Sequence, residues 1–136
     1  MLLSFEQLEK HGACIEQLYK FKAFFGMYTD VTVESCINVA HEFNWFWAGS
    51  FLLKSKKAKK LFLTAEAKIT NDYLNARIKA QNDYVNRLYE IKDVEHYVVE
   101  SDKIKKICSN AIIEAYKSSS VEYAEAFAVA YNLKGK

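Results

Sequence analysis

No proline occurs in this chain, and no glycine lies between Gly49 and Gly135. Loops and sheet edges usually draw on both residues, so their scarcity selects helices joined by short turns. The prediction is an all-α fold: a cluster of short N-terminal helices, a long central helix, and a C-terminal helix or helices. At 136 residues the chain reads as a single helical domain, 1–136. Its parts are a short-helix cluster (1–53), a long basic helix (54–92) and C-terminal helices (93–136). That length buries a core without disulfide or metal staples, and nine Tyr, nine Phe and two Trp supply material to pack.

The first third is punctuated. Ser4 can cap a turn starting at Phe5, with Gln7 at the reciprocal capping-box position. After Gly12, "ACIEQLYKFKAFF" puts Cys14, Leu18, Phe21 and Phe25 at helical spacing, and Gly26 is placed to end that helix in a left-handed conformation. Asp30 and Thr32 offer caps for a helix carrying Cys36, Ile37, Ala40 and His41. Val31–Val33 is too short a run to assign as a strand. Asn44 can cap "WFWAGSFLL".

From about Ser55 the pattern lengthens. "NDYLNARIKAQ" is followed by "NDYVNRLYEIK", a repeat whose eleven-residue period is about 3.67 residues per turn. On a helical wheel Phe62, Ile69, Tyr73, Ala80, Tyr84 and Ile91 make one apolar line. Leu63, Ala67, Leu74, Ile78, Val85 and Tyr89 make a second, about 120° round. Glu66, Thr70, Arg77 and Gln81 lie between, and the Asn-Asp pairs form the wet back. A helix of about 37 residues would be on the order of 55 Å long and can meet partners on two sides. These are its own N-terminal cluster, its C-terminal helix or a second chain. In the last third, Ile104, Cys108, Ala111 or Ile112 and Ala115, then Val121, Ala124, Phe127, Ala128 and Tyr131, keep helical spacing. Ser118–Ser120 is either a break or part of one continuous helix.

The string Gly12-Ala13-Cys14, Gln17, Phe21, Phe25-Gly26, Val31-Thr32, Ala40, Trp45, Trp47-Ala48 and Leu52-Leu53 resembles a group of small phage- and prophage-encoded accessory proteins of unassigned function. The eleven-residue repeat and the tail "AEAFAVAYNL" extend the likeness over most of the chain. The resemblance implies an origin in a mobile element, where small accessory proteins often bind and block host machinery. It supplies no catalytic residues.

Charge is unevenly spread. Residues 1–53 carry three lysines against six acids, 54–92 ten bases against four acids, and 93–136 six bases against seven acids, which together give the net +2. The dense basic run is Lys54, Lys56, Lys57, Lys59 and Lys60. At a helix amino terminus lysines oppose the macrodipole, so local stability does not explain them. They suit an acidic protein surface or the phosphates of a nucleic acid, or are simply a solvated helix start. Arginine, the residue most used for bidentate base contacts, is present only as Arg77 and Arg87.

Other candidates are weaker. His11, Cys14, Cys36 and His41 have loose zinc-like spacing. Of the crowded aromatics, Trp47 and Phe51 read as core with Trp45 at its edge, where an indole is a common interface anchor. Glu66 and Arg77 read as an ion pair. Ser118–Ser120 lacks a nucleophile-elbow context, His96 has only sequence neighbours Glu95 and Glu100, and there is no phosphate-binding glycine loop. No cofactor or metal is expected. Three cysteines without a CxxC pair, no secretory leader and no apolar run of roughly 20 residues suit the cytoplasm of a host cell, away from the membrane.

The leading functional expectation is a phage-encoded, non-enzymatic protein acting by protein–protein contact with a bacterial host protein or nucleoprotein complex. Its most concrete form is an inhibitor of a bacterial defence system such as CRISPR interference. The contact candidates are Lys54, Lys56, Lys57, Lys59, Lys60, Tyr73, Arg77, Tyr84 and Trp45. The alternatives are nucleic-acid binding through the lysine run, or a homodimeric structural part of a virion or scaffold.

Overall fold

The computed structural model describes residues 1–133 and is helical, with one short ribbon. In chain order it comprises β1 (Leu2–Ser4), α1 (Phe5–Lys10), α2 (Ile15–Phe25), β2 (Tyr28–Asp30), α3 (Val33–Ile37), α4 (Trp45–Phe51), α5 (Lys56–Glu90) and α6 (Tyr97–Tyr131). The expected sequence of short helices, long central helix and C-terminal helix is what the chain forms. Two compact units divide it: Met1–Ile69 with the chain from Ser120 on, and Thr70–Ser119.

Local chemistry sets the element ends of the first unit. Ser4 and Gln7 form the capping box of α1, and Thr32 and Ser35 form that of α3. Asn44 Oδ1 accepts from the Trp47 N–H at 3.1 Å and starts α4. Gly26 ends α2 at φ 75°, ψ −129°, a positive-φ conformation outside the left-handed helical well that was expected there. Gln17 ties α2 to the turn before α4: its Nε2 donates to the Glu42 carbonyl at 3.3 Å, and its Oε1 accepts from the Asn44 N–H at 2.9 Å.

Two features depart from the expected pattern. Leu2–Ser4 pairs antiparallel with Tyr28–Asp30, so the ribbon lies just before Val31–Val33. The third helix stops at Ile37; Val39 and Ala40 are in the following turns, held by Val39 N–H to Cys36 O and Ala40 N–H to Ile37 O. Those turns carry the Ala40 carbonyl to the indole N–H of Trp45, 2.8 Å away.

The core of the first unit gathers Leu3, Leu8, Phe21, Val31, Trp45, Ala48, Leu52, Leu53, Phe62, Ile69 and Phe127, among others. Trp45 packs on Phe127 with ring centroids 5.6 Å apart, and Phe46 lies over Tyr123 at 4.6 Å. Ala124, Ala128 and Ala130 are fully buried, as small residues allow where helices approach closely. At the end of α6, the Tyr131 hydroxyl donates to the Leu2 carbonyl at 2.8 Å. Asn132 Nδ2 donates to the Val31 carbonyl at 2.6 Å. Burial pushes the Tyr131 phenol above its ordinary pKa.

The second unit contains the later part of α5 and the earlier part of α6. Tyr73 meets Tyr116 edge-on at 6.3 Å, and Ala80 is buried. Tyr84, Arg87 and Asp83 line one cleft with Ile104, Ile107, Cys108 and Ala111. Asp93 closes the intervening turn by accepting the Glu95 N–H at 3.0 Å and pairing with His96 Nδ1. α6 runs unbroken through Ser118–Ser120, where Ser119 Oγ donates back to the Tyr116 carbonyl at 2.7 Å.

Candidate functional site

Ser55 starts α5: its Oγ accepts from the Ala58 N–H at 3.0 Å, and its carbonyl accepts from the Lys59 N–H. This sets Ala58 into the core and turns Lys54, Lys56, Lys57, Lys59 and Lys60 outward, all exposed. Among the described residues, no ion pair involves any of the five. Lys56, Lys59, Lys60, Leu63, Thr64 and Ala67 share one open face, and Leu63 is 61% exposed within it. The face therefore combines uncompensated positive charge with an apolar strip.

The other contact candidates separate. Tyr73 and Tyr84 are half-buried and lie along α6 of their own chain, through Tyr116 and the Ile104–Cys108 cleft. Arg77 is exposed on the same stretch of helix. Trp45 is a correction. It is 7% exposed and belongs to the core, because its indole N–H reaches back to Ala40 and its ring packs on Phe127. Phe46, Ser50 and Phe51 are the members of that helix left exposed, so Phe51 is not the core residue expected.

Glu66 and Arg77 form no ion pair: eleven residues separate them by about 16 Å along the helix. Cys36 is buried and its thiol is raised to about 11, chiefly by desolvation, with a Ser35 hydrogen bond opposing. Cys14 and His41 are exposed, and His11 caps the end of α1. Among the described residues no three His, Cys, Asp or Glu side chains gather as a metal site would need. His96 pairs with Asp93, a carboxylate the sequence reading had not singled out, in an exposed turn. An apolar void of about 50 Å³ sits among Phe21, Cys36, Trp45 and Phe127. It is well short of the roughly 150 Å³ that accommodates benzene in an engineered cavity, and is a packing defect. No described helix is long and apolar enough to cross a membrane.

One surface was not anticipated. The second apolar line stays outside: Leu74, Ile78, Val85 and Tyr89 of the second unit are all exposed. Thr70 and Gln81 lie between the two lines and so could not tell which of them stays outside.

No protein-family model, no curated protein and no solved structure matches the chain.

Proposed function

We propose that this is a phage-encoded, non-enzymatic protein that acts by protein–protein contact in the host cytoplasm, presenting its lysine face to an acidic surface of a host protein or nucleoprotein complex. The observation that carries this reading is the set of five exposed, unpaired lysines at the start of α5, beside exposed Leu63. Lysines there work against the helix dipole, so their value lies in what they meet. Phosphate binding needs no apolar strip, whereas a protein partner with carboxylates around an apolar side chain uses both parts of the face. The resemblance to phage accessory proteins supports the more specific form, inhibition of a bacterial defence system such as CRISPR interference.

Affinity capture from host lysate, read by mass spectrometry, should retrieve one stoichiometric partner. The triple variant Lys56→Glu, Lys59→Glu, Lys60→Glu should lose it by at least about 10-fold, since each exposed charge contributes up to about 1 kcal/mol. Its circular dichroism should be unchanged. Expression of the wild type should raise phage plating on defended hosts, and the variant should not. Equal capture by the variant rejects the lysine face, and unchanged plating rejects the anti-defence role.

Nucleic-acid binding through the same lysines is the second reading, favoured by the absence of ion pairs at all five among the described residues. It predicts affinity for labelled duplex that falls steeply with salt. A weak, salt-flat signal removes it.

A further inference from the structure

The lysine face has two ends that differ in chemistry. Lys56, Lys59, Lys60, Leu63, Thr64 and Ala67 lie on one side of α5, three and four residues apart, and every one is exposed. Positive charge fills the Lys56–Lys60 end, and among the described residues no ion pair neutralises it. The Leu63–Ala67 end is apolar. Glu66 lies on one flank of it and Lys68 beyond Thr64 on the other. Thr64 uses its hydroxyl on the Lys60 carbonyl at 2.9 Å, so it needs no polar partner from outside. The stripe from 56 to 67 covers three turns, about 16 Å, and belongs wholly to the first unit.

We infer, on the premise that the lysine face is a protein contact, that its occupant is an amphipathic helix with carboxylates at one end of its contact stripe and aliphatic side chains at the other. α5 bonds its own backbone groups, so an extended strand finds no edge to pair with, and recognition falls to side chains. A ridge at three-and-four spacing is what a second helix packs against. Thr64 and Ala67 are small enough to let the two axes approach to about 8–10 Å. Charge sets the register. The occupant's carboxylates lie over Lys56, Lys59 and Lys60, whereas Glu66 repels a carboxylate at the far end, where aliphatic groups cover Leu63 and Ala67. A uniformly acidic surface, or a phosphate backbone, meets Glu66 with like charge and leaves Leu63 bare.

The probe is a synthetic helical peptide of about 14 residues, on the order of 20 Å long. It carries glutamates at the end that meets Lys56–Lys60 and leucines at the end that meets Leu63. It is made in both chain directions, since either presents the same stripe. Fluorescence anisotropy against the full chain, in about 0.15 M salt, should detect binding below about 1 mM. Circular dichroism should show the peptide gaining helicity as it binds. A proline in its middle keeps the charges and leucines but breaks the helix, and should weaken binding at least about 10-fold. Serines for its leucines should do the same, as should Leu63→Ser in the protein, at a position 61% exposed. Leu63→Ser should cost nothing further against the serine peptide, because the two changes remove one contact.

Equal binding of the proline peptide overturns the helix, and indifference to Leu63→Ser overturns the register. No binding up to about 1 mM overturns both. The lysine face itself is judged by the triple variant Lys56→Glu, Lys59→Glu, Lys60→Glu. If that variant loses the peptide while the proline form still binds the wild type, the face stands and the helix falls. Equal binding of the peptide by the triple variant removes the premise as well. Duplex DNA that binds wild type and Leu63→Ser alike, where the peptide fails, overturns the inference and assigns the face to nucleic acid.

Discussion

Gly49 and Phe62 show how tightly single side chains are fixed in the first unit. A Cβ on Gly49 would stand 2.1 Å from Phe62 Cε1 and 2.4 Å from Cδ1, and Phe62 is 2% exposed. The ring has no solvent to retreat into. Gly49→Ala should therefore lower stability by about 2 kcal/mol, the overpacking cost prevailing over the roughly 1 kcal/mol that alanine gains in helix propensity. Urea unfolding measures it, and Gly49→Ala with Phe62→Leu should recover part of the loss. A neutral Gly49→Ala would mean that α4 and Phe62 are not in contact. Gln17 acts at the same scale: with one side chain bonded to Glu42 and Asn44, it joins α2 to the turn that sets where α4 begins. Several other residues of the N-terminal string have comparable structural duties. Thr32 caps α3, the Ala40 carbonyl holds the indole of Trp45, and Leu52 and Leu53 are core.

Among the elements, α4 is the one that depends most on its cap. It has seven residues, too few for helix propensity to sustain, and carries Trp45 and Ala48 into the core. Asn44→Ala should cost about 1 kcal/mol and Asn44→Asp about nothing, since aspartate offers the same acceptor to the Trp47 N–H. Equal losses would show that the cap bond is unimportant. Caps of this kind were legible, as was the extent of α5, whereas the sequence left open whether the last helix runs on through Ser118–Ser120, as α6 does. The β1–β2 ribbon was not: three residues pair with three others some 26 positions away, and neither strand has a local signature. Both apolar lines of α5 were legible, but not which one is covered, because that is decided by the side on which α6 packs. Trp45 could not be read as core either, since its partner carbonyl is offered by the turns after α3.

Taken as a whole, the molecule has its apolar mass unevenly placed. The first unit holds the continuous core, whereas Ala80 is the buried apolar residue of the second among the described residues, flanked by half-buried Tyr73, Tyr84, Ile104, Cys108 and Ile112. Local opening follows buried contacts, so amides of 73–88 and 104–116 should exchange at least about 10-fold faster than those of Phe21, Phe62 and Phe127. Hydrogen exchange read by NMR measures this in dilute protein. Uniform protection would instead mark one cooperative structure.

The first unit is also interrupted in sequence: its core takes Phe62 and Ile69 from before the second unit and Phe127 from after it. Joining those parts directly closes a loop of about 50 residues, at about 3.5 kcal/mol of chain entropy beyond a constant. If the α5–α6 hairpin zips first, the turn to be closed is about six residues and the corresponding cost about 1.6 kcal/mol. In that order the hairpin would be the kinetic scaffold of the first unit's core. It brings Phe127 within reach of Trp45 while the aromatic core is still open.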